Sequence, residues 1–288
     1  FNAQTAPDAH AKAKELRGEY VIAMKGDVVA RDENTRNPKI ATGDVEVHAR
    51  RGVSREGRTV MLPKPGITQS LARFVVDTGW EDIPEQARHE AKRALLNFFA
   101  VAIAGCRTEP VELALGALAD FSGGRHAKVV GRSERIDALS AAFLNGAGAN
   151  VFDYCDTHLP TVVHPTAPLA PALLAMAELR RVTGPQLLTA FVLGFEIECR
   201  VGAAVSPGHY PRGWHITSTC GVFGSAAGAA KLLGLAADRV VWALGNASTQ
   251  SGGLCECLGW PAKSVSVGNA ARKGLLSALL AEKGFAGP

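Results

Sequence analysis

From Thr68 onward, apolar residues recur at three- and four-residue spacing with few β-branched runs, the period of helices that bury one face. The pattern predicts helices over Thr68–Thr78, Pro84–Ala104, Val111–Ser122, Asp137–Phe152, Pro165–Arg181, Gly184–Ala204, Thr217–Leu233, Ala237–Ser251 and Ala262–Lys283. Pro84 and Pro185 suit first-turn positions, where a missing N–H costs nothing, and Gly105, Gly234 and Gly284 suit helix ends. Only Ala127–Gly131 reads as a strand. Alternating βαβ units are absent, which argues against a doubly wound sheet and for a mainly α fold built on one large all-helical domain. Stretches such as CGVFGSAAGAAKLLGL and LNGAGANVFDY carry small side chains at helical spacing. They imply close helix approach, in a bundle or at a helical dimer face; charged residues interrupt every helix, so a membrane origin is the lesser reading.

The first piece has a different pattern. A short helical stretch, AHAKAKELRGE, leads into strand-like alternation from Tyr20 to Ala30. A loop from Asp32 to Gly43 follows, and then a second strand, Asp44–Ala49. Two strands rarely stand alone in water, so residues 1–50 read as a small, incomplete β-rich segment. Residues 51–66 lack periodicity and read as a linker or junction, and residues 67–288 form the helical domain. The chain opens on Phe1, and Met61 sits just ahead of the second piece. A clipped start and a joining of two unlike pieces, by real fusion or by artefact, are both expectations.

Composition narrows the function classes. The 288 residues are 47% apolar and 20% charged, with net charge +4, the balance of a globular protein. Residues 1–68 hold 12 Lys/Arg against 9 Asp/Glu and the remainder 19 against 18, so no basic stripe argues for a nucleic-acid partner. No apolar run of membrane-spanning length and no signal peptide stands out, and the cytoplasm is the expected location. Four of the six cysteines lie alone in apolar stretches and read as reduced core residues. Cys255 and Cys257 form a C-x-C pair with no second pair nearby, and a metal site needs about four ligands, so no metal is expected there.

The stretch FDYCDTHLPTVVHPTAPLAPALLA packs Asp153, Asp156, Thr157, His158 and His164 between two apolar helices. Asp153 and Thr157 are four apart, and Pro160 should turn the chain so that His164 swings back towards them. Asp156 or Thr157 as a helix cap, and His164 as a satisfied turn histidine, are the bland alternatives. His215 sits just before a small-residue helix whose free N–H groups favour anions, and Lys263 sits at another helix start in a mostly apolar setting, with a solvated surface lysine as its bland alternative. Arg212 and Arg272 are weaker candidates, most simply surface charges. Histidines that titrate near neutrality, a carboxylate and a lysine make an acid–base site that reads anions. Neither an activated serine or cysteine nor an H-E-x-x-H, P-loop or EF-hand pattern appears.

These residues resemble the MmgE/PrpD family, which includes 2-methylcitrate dehydratase and cis-aconitate decarboxylase. The resemblance runs through FDYCDTHLPTVVHPTAPLAPALLA, GFEIECRVG, GWHITSTCGVFGSAAGAAKLLGL and KSVSVGNAARKGLLSALLAEKGFAGP. It implies a lyase acting on a small di- or tricarboxylate without metal or organic cofactor, and a homodimer. Asp153, Thr157, His164, His215 and Lys263 would surround the substrate. In this reading His164 transfers the proton, Lys263 and His215 hold carboxylates, and Asp153 and Thr157 orient. The family also implies a second α+β domain, absent here, that supplies further active-site groups including a tyrosine, so activity of this chain alone stays open. An isomerase or epimerase on a similar acid and a non-catalytic, truncated dimerisation remnant are the alternatives. Residues 1–50, through LRGEYVI and NPKIATGDVEV, resemble part of the anticodon-binding OB-fold of bacterial aspartyl-tRNA synthetases. The earlier OB strands are missing, so RNA binding is not expected.

Overall fold

A computed structural model describes residues 22–30, 33, 45–54 and 66–288. The chain divides into two units, 1–64 and 65–288. In the first, β1 (Ile22–Ala30) pairs antiparallel with β2 (Val45–Ser54), with Val28 opposite Val47. The register shifts between Lys25 and Gly26, which pair with Arg51 and Ala49 and so leave Arg50 of β2 as the extra residue. β2 runs on through Ser54, four residues into the stretch read as linker, because Arg51 to Ser54 pair with Lys25 to Ile22. The helix expected over AHAKAKELRGE lies outside the described residues.

The second unit is helical. Its helices are α1 (Ile67–Asp77), α2 (Glu85–Gly105), α3 (Glu109–Ala119), α4 (Ala138–Asn150) and α5 (Thr166–Leu179). They continue as α6 (Gly184–Val205), α7 (Ile216–Leu232), α8 (Ala237–Ser248) and α9 (Ala262–Glu282). Every helix expected in this unit is present; the starts at Gly184, Ala237 and Ala262 coincide, and the other ends move by one to three residues. Pro84 is the N-cap of α2 rather than its first turn. The Asp137 carboxylate accepts from Ser140 N–H ahead of α4, and Thr183 with Gln186 forms a capping box ahead of α6. The expected strand shortens to β3 (Ala127–Lys128), paired with a two-residue β4 (Arg135–Ile136) that periodicity could not show at that length.

Small residues set the packing. α9 lies against α4, α5, α7 and α8, and α7 also packs on α6. A Cβ on Gly274 of α9 would stand 2.7 Å from the Val222 carbonyl of α7, and one on Gly194 of α6 would stand 2.7 Å from the Gly224 carbonyl. Gly268 of α9 faces the Phe143 backbone of α4 just as closely. The helices therefore cross backbone on backbone, and buried alanines with Leu275, Met176 and Leu144 fill what remains.

One core group breaks the apolar rule. Glu198 of α6 is fully buried, neither carboxylate oxygen has a hydrogen-bond partner among the described residues, and it lies against Gly221 and Gly224 of α7. Burial pushes its pKa well above 4.5, with the charge of Asp156 adding to the effect, so the carboxyl stays protonated. No single helix among the described residues is long and apolar enough to cross a membrane.

Two substitutions should separate close approach from mere helix propensity. Gly274→Ala drives a methyl into α7 and should cost about 1–3 kcal/mol. Gly116→Ala, exposed on α3 with nothing within 4 Å, should stabilise by about 0.5–1 kcal/mol. Chemical denaturation of the two variants reads both signs. Glu198 binds its proton more tightly folded than unfolded, so it costs stability as pH rises above 4.5. Glu198→Gln should lessen that alkaline loss, and an unchanged pH–stability curve would refute the buried proton.

Candidate active site

α4 ends at Asn150, and the chain turns sharply: Asp153 takes φ 60°. Asparagine and aspartate tolerate this left-handed region better than most residues, whereas Val162, at φ 54°, is a β-branched residue under strain. The strained turn is closed by His158 N–H to the Val163 carbonyl at 2.8 Å and Val162 N–H to the His158 carbonyl at 2.8 Å. His158 spends its own ring on this turn, with Nδ1 2.7 Å from the Thr161 hydroxyl. The result returns the chain to His164, one residue before the α5 N-cap.

His164 is fixed on three sides. Its N–H donates to the Thr217 hydroxyl of α7 at 3.1 Å. Its Nδ1 lies 3.0 Å from the Asp156 carbonyl and 3.1 Å from the Thr157 hydroxyl. A carbonyl can only accept, so this contact assigns the proton to Nδ1 and leaves Nε2 as the nitrogen with a free lone pair. Nε2 lies 3.6 Å from the Asp153 carboxylate, which also takes a short hydrogen bond from Lys263 Nζ. Lys263 is the second residue of α9, and its side chain is only 12% exposed. Burial alone would raise the Asp153 pKa, but the hydrogen bond and charge of Lys263, helped by His164 and His215, hold it below 3.8.

His215 is the N-cap of α7, and it is 2% exposed. Its N–H donates to the Gly253 carbonyl at 3.0 Å. Nδ1 stands 3.2 Å from the Ser218 hydroxyl and 3.3 Å from that of Ser266. Each serine donates to a backbone carbonyl, Ser218 to His215 and Ser266 to Lys263. Both serine oxygens thus accept from Nδ1–H, and Nε2 is left bare. Burial lowers the His215 pKa to about 4, and the charges of Lys263 and His164 push the same way. At neutral pH His215 is uncharged.

The structure brings Asp153, Thr157, His164 and Lys263 into one contact chain, with His215 joined to Lys263 through Ser266. Asp156 stands apart as a cap. Its carboxylate accepts from Thr166 N–H at 3.2 Å and from the Thr166 hydroxyl at 2.5 Å, at the first residue of α5. Burial raises its pKa against those bonds. Arg212 is exposed in the short turn Tyr210–Arg212, and Arg272 lies nine residues along α9 from Lys263. Sequence reasoning missed Thr217, Ser218 and Ser266. Their signal was spacing: Ser218 and Ser266 each follow a candidate residue at a helix start by three positions, one turn on. A cavity of about 540 Å³ between α2 and α6 is lined by Asn97, Tyr154, Cys155, Asp156 and Phe195, and by none of the five candidates. It backs the site loop rather than opening on the cluster.

Fold and cluster together define a helical domain in which helix ends bring a carboxylate, two histidines and a lysine into one place. The family model for the MmgE/PrpD N-terminal domain matches residues 69–288, and the chain belongs to that family. Over 238 residues it is 35% identical to the cis-aconitate decarboxylase-like protein oryM of Aspergillus oryzae, covering 80% of this chain and 49% of the relative. Over 233 residues it is 32% identical to cis-aconitate decarboxylase of Aspergillus terreus, covering 77% and 47%. The chain spans about half the length of these curated relatives. A separate 44-residue match, 59% identical, is to an aspartate–tRNA(Asp/Asn) ligase of Syntrophotalea carbinolica, covering 15% of this chain and 7% of the ligase.

Neutral His215 carries a pH signature. Its folded pKa lies near 4 against an ordinary 6.5, so the unfolded chain binds the extra proton first on acidification. Its contribution to stability is complete above pH 6.5 and falls away towards pH 4, a loss of up to about 3 kcal/mol. Urea denaturation of His215→Gln should show a flatter dependence across that window, and parallel curves would refute the buried neutral imidazole.

Proposed function

We propose that the helical unit carries the acid–base site of a lyase acting on a small di- or tricarboxylate, with decarboxylation of cis-aconitate as the leading reaction. The observation that carries the reading is the Lys263–Asp153–His164 array, a cation and a histidine Nε2 meeting on one half-exposed carboxylate. The names of the relatives support the substrate class.

The chemistry follows from the charges. A substrate carboxylate replaces Asp153 on Lys263 Nζ, exchanging one anion for another at a largely buried ammonium. Neutral His215, with its one proton held at Nδ1 by Ser218 and Ser266, has no free N–H to offer a carboxylate, so the positive charge that holds the substrate is that of Lys263 rather than of His215. The C–C bond to a second carboxylate breaks, carbon dioxide leaves, and the electron pair stays on the conjugated carbon frame. His164, protonated at Nε2, delivers the proton that balances the step, while Asp153 stabilises the imidazolium and Thr157 with the Asp156 carbonyl fixes the ring. In 2-methylcitrate dehydration the same nitrogen would instead remove a carbon-bound proton. Tyr154, Leu159 and Trp260, neighbours along the chain of Asp153, His158 and Lys263, are exposed, an apolar surface that the homodimer or second domain implied by the family would cover.

Release of carbon dioxide from cis-aconitate is the direct assay, and a rise in ultraviolet absorbance with 2-methylcitrate marks dehydration. His164→Asn should lower turnover by about 10²–10⁴-fold with little change in melting temperature. Lys263→Met should weaken cis-aconitate binding in calorimetry, a readout that does not need turnover. Near-normal rate and affinity in both variants would sink the assignment.

A further inference from the structure

Cys155 takes no part in the proposed reaction, yet it faces the same cluster. One ligand atom each of Asp153, Cys155 and His164 lie within 4.8 Å of one another, the one such triad among the described residues. We infer that Asp153, Cys155 and His164 form a binding site for a thiophilic divalent cation, zinc or its spectroscopic stand-in cobalt, and that this cation blocks the acid–base site. The blocking clause rests on the proposed function; the binding does not.

The donor set and its surroundings fit such an ion. A thiolate, an imidazole and a carboxylate are the donors of three-ligand zinc sites that keep a fourth position open. His164 needs no rearrangement of its proton, because Nδ1–H is already committed to the Asp156 carbonyl at 3.0 Å and Nε2 is the free donor. A ring N–H held by a backbone carbonyl is the usual outer support of a metal-bound histidine. Asn150 Nδ2 lies 3.6 Å from Cys155 Sγ and would steady a thiolate in the same way. Tetrahedral bonds of about 2.0–2.3 Å place ligand atoms about 3.5 Å apart, so the triad must close by roughly 1 Å, on a loop that the half-exposed Asp153 terminates. The contact that yields is the Lys263–Asp153 ion pair, whose carboxylate is 55% exposed.

The thiol selects the ion. Burial pushes the Cys155 pKa up to about 11, so the sulfur is protonated in the resting chain. Magnesium and calcium prefer oxygen and do not displace a thiol proton, whereas zinc and cobalt do. On binding, the S–H bond breaks, a metal–sulfur bond forms and one proton passes to solvent. Lys263 keeps its proton. Two anionic ligands offset the dication, but only one proton leaves, so binding adds one positive charge, that of Lys263 parted from its carboxylate partner, on a site whose carboxylate is half exposed to solvent.

The test titrates the full chain with cobalt and reads the thiolate-to-cobalt charge-transfer band in the near ultraviolet. Zinc affinity is then measured by competition with a chromophoric chelator. The band is expected in the parent chain and in the Cys255→Ser/Cys257→Ser double variant, and lost in Cys155→Ser with zinc affinity down by roughly tenfold or more. If Cys155→Ser does not give the parent helical circular dichroism, Asp153→Asn replaces it and should weaken zinc similarly. No band in the parent, a band that survives Cys155→Ser, or one that follows Cys255 and Cys257 overturns the site. None of these readouts requires turnover, so failure of the lyase reading would leave the metal site standing. Cys155→Ser is expected to keep any parent activity and lose its inhibition by zinc.

Discussion

Where α9 crosses α4, Gly268 lies against the Phe143 backbone, and where it crosses α7, Gly274 lies against the Val222 carbonyl. These crossings leave no room for a side chain, so each helix can sit at only one distance and one register along its neighbour. The consequence reaches the site directly. Lys263 is the second residue of α9, five residues before Gly268, and Asp153 follows the end of α4, so the depth at which α9 seats on α4 sets where ammonium meets carboxylate. His215 is placed by the same logic from α7, and Ser266 on α9 ties it back. Side chains that touch across three helix ends are held by packing that involves none of them.

Electrostatics then sorts groups that look alike in composition. Asp153 and Asp156 lie three residues apart, but Lys263 keeps the first ionised and half exposed while burial raises the second, which works as a cap on α5. His164 and His215 differ in the same sense. The first is steadied at Nδ1 and presents Nε2 to an anion; the second is buried against serines and stays neutral. Glu198 shows the limit of the trend, a carboxyl so enclosed by the glycines of α7 that it keeps its proton. Desolvation and one cation thus shift three carboxyls differently within one bundle, Asp153 downward, Asp156 upward and Glu198 furthest upward.

The helical reading of residues 67–288 was legible because a 3.6-residue period over long segments is a strong signal, and only helix ends, where caps compete, slipped by a few residues. Thr183 and Gln186 show a cap that can be read locally; Asp156 reaching Thr166 across ten residues cannot. The two-residue β4 was invisible, since alternation needs length. Ser218 and Ser266 were missed because a serine one turn into a helix is ordinary until its oxygen is seen beside His215.

The sequence by itself determined the helices, the small-residue faces that must pack closely, and which polar residues fall at helix boundaries, because those depend on periodicity and side-chain size along the chain. Only the tertiary structure decided that Lys263, 110 positions from Asp153, closes on its carboxylate, that His215 is neutral and that Cys155 joins His164. Distances and burial across helices set those outcomes, and neither is a property of any local stretch.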